Sequence, residues 1–189
     1  MQLKLLKFFF ILCLILYHSA SISKAAISNN FNQKYLSNYF SGLLSYGNQD
    51  IDQALNFFEK SKFLITKHPN YLRQYIFTLI LNGQVKKAVR QINFRKNTES
   101  SDFFEAHLLI VLDNFSKKDF KQNQKLFEEF NFDDTEDPFE FIIFEILKSY
   151  NHLFLKKKIR EIDKSYGNLS LITSAFQNCY LSPESSQSN

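Results

Sequence analysis

Apolar residues recur at three- and four-residue spacing through most of the chain beyond residue 34, a period that fits α-helices and not strands. Tyr35, Leu36, Tyr39, Phe40, Leu43 and Leu44 make one such face. Ile51, Ala54, Leu55, Phe58 and Ser61 make a second. Leu72, Ile76, Leu79 and Ile80 form a third, and Val85, Ala88, Val89 and Ile92 a fourth. The breaks fall at Gly47 to Asp50, at His68-Pro69, where one helix ends and another starts, and at Asn82-Gly83. With only 4 Gly and 3 Pro in 189 residues, a turn-dense β-sandwich is disfavoured. The unit is therefore a pair of helices. At 44% hydrophobic and 22% charged residues, the chain has the make-up of a globular domain with a core.

Helix pairs invite a search for a period. Ala54 and Ala88 stand 34 positions apart, and Phe58 and Ile92 each follow their alanine by four. Gly42 precedes Ala54 by 12, and Gly83 sits in the turn before Ala88. Small residues at such places let paired helices approach closely, while the large one fills the gap toward the next pair. On these positions, residues 35 to 102 resemble tetratricopeptide repeats. Another step of 34 reaches Gln122 where alanine is expected, yet the helical pattern continues. Phe103, Phe104, Leu108, Leu109, Val111 and Leu112 mark a first helix, and Phe120, Leu126, Phe127 and Phe130 a second. The resemblance implies an all-α fold over 35–181: antiparallel helix pairs stacked as a TPR-like right-handed α-solenoid. The chain also looks like the N-terminal part of longer exported bacterial proteins of this family, which share its richness in Phe, Lys, Asn and Ile.

Beyond the third pair, Asn131 to Asp137 is an acidic connector without the spacing of a calcium loop. Asp137, Pro138 and Glu140 instead form a capping-box start for a helix. Phe139 to Phe154 is apolar on most faces and is expected to be buried on two sides. Lys156 to Arg160 is read as the start of its partner. After a break at Tyr166 to Asn168, Leu169, Ile172, Ala175, Phe176 and Cys179 define the apolar face of a last helix. Residues 182–189 are read as a polar, disordered tail. A last helix without a partner is either itself the cap of the stack or the sign of further repeats.

The N-terminus carries a different signal. Lys4 and Lys7 precede the apolar run Phe8 to Tyr17, and Ser23-Lys24-Ala25 supplies small residues at a cleavage site. Residues 1–25 are read as a signal peptide and 26–34 as a linker. The apolar run is about half the roughly 20 residues a spanning helix needs, which favours cleavage over an uncleaved anchor. The expectation is an exported protein of the periplasm or cell envelope, touching membrane only through this leader. Phe10-Ile11-Leu12 before Cys13 lacks the small residues of a lipoprotein site. Cys179 is then alone, excluding an intramolecular disulfide, and is expected to be buried on a helix face.

No catalytic constellation is legible. His18, His68, His107 and His152 lack zinc-ligand spacing, and there is no Cys-x-x-Cys, phosphate loop or nucleophile elbow. His68 is read as a helix C-terminal cap. The net charge of +4 lies partly in the leader, and no basic stripe alternates with aromatics. The expectations are no enzyme activity, no cofactor, no metal and no nucleic-acid partner. The family resemblance implies a groove for a protein or peptide partner, lined by the first helix of each pair. Its positions fall on Leu36, Tyr39, Leu43 and Tyr46, then Asn70, Arg73, Phe77 and Ile80, then Phe104, His107, Val111 and Asn114. Tyr39, Arg73, Phe77, His107 and Asn114 are the candidate contacts, with Arg73 placed to meet a ligand carboxylate. The cluster of groove Lys, Arg and Asn that chaperone-tail binders use is absent.

Overall fold

A computed structural model describes residues 32–68, 70–96, 98–129, 137–160 and 164–182. Among them all regular structure is helical, with no strand. In chain order the α-helices are α1 (Gln33–Gly47), α2 (Ile51–Lys60), α3 (Tyr71–Leu81), α4 (Val85–Asn93), α5 (Phe104–Ser116), α6 (Phe120–Glu129), α7 (Pro138–Lys156) and α8 (Asn168–Leu181). Short 3-10 helices, Lys62–Thr66 and Glu99–Ser101, precede α3 and α5. The predicted leader, most of the acidic connector, Phe130 and the tail beyond Ser182 lie outside the described residues. No described helix is long and apolar enough to cross a membrane.

Three hairpins, α1–α2, α3–α4 and α5–α6, share one turn. Each has three residues between its helices, and the middle one is left-handed: Gln49 at φ 63°, Gly83 at 75° and Lys118 at 59°. The hydrogen bonds repeat as well. Asp50, Gln84 and Asp119 N–H groups donate to the carbonyls of Ser45, Leu79 and Asn114 at 2.9, 2.8 and 2.9 Å. A bond from just past a helix to a carbonyl five residues back closes the helix C-terminus and reverses the chain. Asp50 and Asp119 then accept from the N–H of Gln53 and Gln122, both at 3.1 Å, and so start the second helix.

The left-handed residues stand at 49, 83 and 118, so the second interval is one residue longer than the first. Burial follows the same offset. Ala88 and Ile92 are buried in α4, and 35 positions later Asn123 and Phe127 are buried in α6. Ile76 and Leu79 likewise correspond to the buried Val111 and Asn114. The expected alanine slot of the third pair is therefore Asn123, not Gln122. Asn123 fills it by bonding: it accepts from Asn114 Nδ2 at 2.9 Å and donates to the Val111 carbonyl at 3.1 Å. A buried amide so satisfied costs little.

Close helix approach is clearest at Gly42, where an added Cβ would meet the Phe58 ring at 3.1–3.3 Å. Tyr71 lies in the same core, its hydroxyl donating to the Phe58 carbonyl, and Tyr75 donates to Glu59. Burial pushes both phenols well above their ordinary pKa. This first core joins α1 to α4 and reaches Ala106 of α5; a smaller one gathers Val111, Leu126, Phe127 and Phe144. The second helix ends at Lys60 and not at His68; the fully buried Ser61 follows it, its hydroxyl donating to the Phe57 carbonyl at 2.8 Å, and the 3-10 helix Lys62–Thr66 comes next. His68 N–H donates to the Leu64 carbonyl at 2.8 Å, while its ring lies 4.7 Å from that of Tyr39.

The hairpin rule stops at α7. Asp137 accepts from the Glu140 N–H at 3.2 Å with Pro138 in the first turn, the expected start. The helix is buried on two sides, with Phe144 and Asn151 inward on one and Ile146, Ser149 and Leu153 on the other. Lys156 to Arg160 does not begin a partner helix. Lys156 is the last residue of α7, Lys157 caps it at φ 55°, and Arg160 folds back onto Glu145 at 2.9 Å. The partner arrives only as α8, and its burial contradicts the expected pattern. Thr173 and Gln177 are buried, whereas Leu171, Ile172, Phe176 and Cys179 are exposed. Gln177 Nε2 donates to Ser149 Oγ at 3.1 Å, and beside it the Phe176 ring packs on Tyr150 at 5.3 Å and Tyr180 on Phe154 at 5.2 Å, so polar bonds and ring edges together seat the helix.

Candidate functional surface

The first helices of the second and third pairs, α3 and α5, are joined by a side-chain ion pair, and each leaves apolar side chains half-exposed beyond it. Arg73, Phe77 and Leu81 lie one turn apart along α3, with Arg73 and Leu81 exposed and Phe77 half-buried. On α5 the side chains 35 positions after Asn70, Arg73 and Phe77 are Glu105, Leu108 and Leu112. Arg73 Nη2 donates to Glu105 Oε1 at 2.5 Å, linking the two helices. Its guanidinium lies 5.9 Å from the ring centres of both Phe77 and Phe103, at the outer edge of cation–π range. Glu140 of α7 is close enough to sense this pair. Burial raises its carboxyl above the usual value, Asp137 and Glu105 add to the rise, and Arg73 opposes it.

The five candidate contacts are dispersed by this arrangement. Arg73 and Phe77 lie one turn apart on α3, but the carboxylate that Arg73 was expected to take from a ligand comes from Glu105. Tyr39 is 3% exposed, packed against Phe58, His68 and Tyr71, and has almost no surface to offer. Asn114 is buried against Asn123. His107 points elsewhere, its Nε2 2.9 Å from Asp102 Oδ1. The displaced residues on α5 share one cause: the step from the second pair is 35, so a step of 34 lands one residue early. Glu105, Leu108 and Leu112 are the residues missed. The signal for them was the large apolar Phe127, 35 after Ile92, since Gln122 alone misleads.

His107 and Asn114 instead line a cleft of about 550 Å3 between the end of α4, the turn at 98–102, α5 and α6. Most of its charges are paired. Lys96 lies 3.7 Å from Glu129, and Lys117 lies 2.5 Å from Asp113. Among the described residues no group of three His, Cys, Asp or Glu is placed to hold a metal ion. The cleft therefore presents matched polar pairs over an apolar floor of Ile92, Ile110 and Leu126.

No protein-family model matches this chain, and neither a curated protein nor a solved structure matches it significantly.

Proposed function

We propose that the chain is an exported, non-catalytic interaction scaffold of the cell envelope. In this reading its helix pairs form a TPR-like right-handed α-solenoid. The threefold recurrence of the left-handed hairpin turn at Gln49, Gly83 and Lys118 supports the repeat reading. The binding reading rests on one observation: Arg73 of α3 is paired with Glu105 of α5, and beyond that pair each helix leaves apolar side chains exposed or half-exposed, Phe77 and Leu81 on α3 and Leu108 and Leu112 on α5. Rings and aliphatic side chains beside a fixed ion pair suit a peptide or partner helix that brings apolar anchors. Because Arg73 is already paired, the ligand has no need of a carboxylate there.

Selection from a random peptide display library tests this reading. Recovered peptides should bind the wild-type chain and lose at least about 30-fold in affinity on Phe77→Asp or Leu112→Asp, as for loss of a central anchor. Circular dichroism must show both variants folded. Peptides that bind these folded variants as tightly as wild type would place binding elsewhere and overturn the assignment. Whether the leader is removed is decided by the mass of the mature protein, which should lack residues 1–25.

A further inference from the structure

The outward side of α8 is anomalous for a surface. Leu171, Ala175 and Cys179 follow one another at four-residue spacing, all exposed; Ile172 runs beside them, and Phe176 stands at the edge, 45% exposed with its ring also packed on Tyr150 of α7. Leu171 is 69% and Ile172 62% exposed. The fully buried residues of α8 are polar, Thr173 and Gln177, with the rings of Phe176 and Tyr180 against α7 on their flank. Burying threonine and glutamine while turning leucine and isoleucine outward reverses ordinary amphipathicity. None of its fourteen residues, Asn168–Leu181, carries a charge.

We propose that this stripe is a self-association surface, and that its occupant is α8 of a second copy, packed about a two-fold axis. Three features favour a copy over a foreign partner. A two-fold contact sets each residue near its own counterpart or a close neighbour, so any charge would meet its like; an uncharged helix removes that penalty. Ala175 stands at the centre of the stripe between larger side chains, which lets two helices approach closely at that point. The area also fits. The stripe exposes roughly 400 Å2 and, with its serine and asparagine flanks, a pair would bury about 1,000 Å2 in total, the lower bound of a specific interface. The dimer is accordingly weak, dissociating in the micromolar range or above.

Sedimentation velocity on the full chain, from about 1 to about 200 µM, should follow a monomer–dimer equilibrium. Ile172→Glu should weaken it by at least about tenfold without changing the circular dichroism spectrum, since the position is exposed. Phe94→Glu removes an equally apolar side chain, 85% exposed but remote from α8, and should leave association intact. In a Cys13→Ser background, a short bis-maleimide should join two copies through Cys179 in the wild-type surface and not in Ile172→Glu. A chain that stays monomeric throughout overturns the proposal. So does association that survives Ile172→Glu, which would point to the apolar leader or another face.

Discussion

At the scale of single residues, the strongest signature of this chain is backbone handedness. The same left-handed turn position is filled by Gln49, Gly83 and Lys118. Only glycine enters that region without Cβ strain; other L-residues incur roughly 1 kcal/mol or more. Two of three turns therefore hold a side chain that the backbone disfavours, and none of these positions carries a buried contact that would explain it. Gln49→Gly and Lys118→Gly should each raise stability by about 0.5–1 kcal/mol, and Gly83→Ala should lower it by a similar amount. Chemical denaturation of the three variants checks the signs. Glycine lowering stability at 49 and 118 would mean that the side chains contribute more than the strain they cause. Gly42 serves a different purpose, since its place is set by the Phe58 ring and not by φ.

At the scale of elements, the periodicity made nearly every helix legible, because burial of one face is what fixes both the pattern and the fold. It failed where tertiary bonding outweighs local pattern. The extra residue in the third pair lies in the connection between α4 and α5, and connections absorb insertions without disturbing packed helices. Within the hairpin the register holds: Asn114 and Asn123 keep the nine-residue spacing of Leu79 and Ala88. The face of α8 was misread because the residues it buries fully, Thr173 and Gln177, are polar and bond to α7, which a hydrophobic count does not register. The end of α7 was misread because Arg160 returns to Glu145 instead of opening a helix. That last contact has a measurable consequence. Burial alone would raise the Glu145 carboxyl, but the hydrogen bond and charge of Lys148, with those of Arg160, outweigh it and hold the group below its ordinary range. Folded Glu145 thus binds a proton less readily than unfolded glutamate, whose value is about 4.3. Its contribution is complete above that pH and is lost as pH falls below it through the folded value. Thermal melts of wild type and Glu145→Gln should differ most near neutrality and converge only as pH falls below the ordinary glutamate range. A gap that stays constant into acid would show that the ion pairs contribute nothing.

At the scale of the whole molecule, burial is uneven along the stack. Phe58, Leu64, Tyr71, Leu72, Tyr75, Ile76 and Leu79 are essentially inaccessible, and all lie between α2 and α3 or on them. The second core has Val111, Leu126, Phe127 and Phe144, and the α7–α8 junction uses polar contacts such as Gln177 to Ser149 and Tyr150 to Thr173 at 3.1 and 3.4 Å. Each helix also packs mainly on its neighbours in sequence, so little ties the two ends together. Structures coupled only to their neighbours unfold by local units whose stabilities differ. Hydrogen exchange at low protein concentration should therefore find the α3 amides slowest and those of α8 fastest, by at least about 100-fold in protection. Raising the concentration should slow α8 selectively, because a second copy binds the folded helix and not the frayed one. Uniform protection from α1 to α8 would instead mean a single cooperative unit, in which the seating of α8 is as stable as the aromatic core.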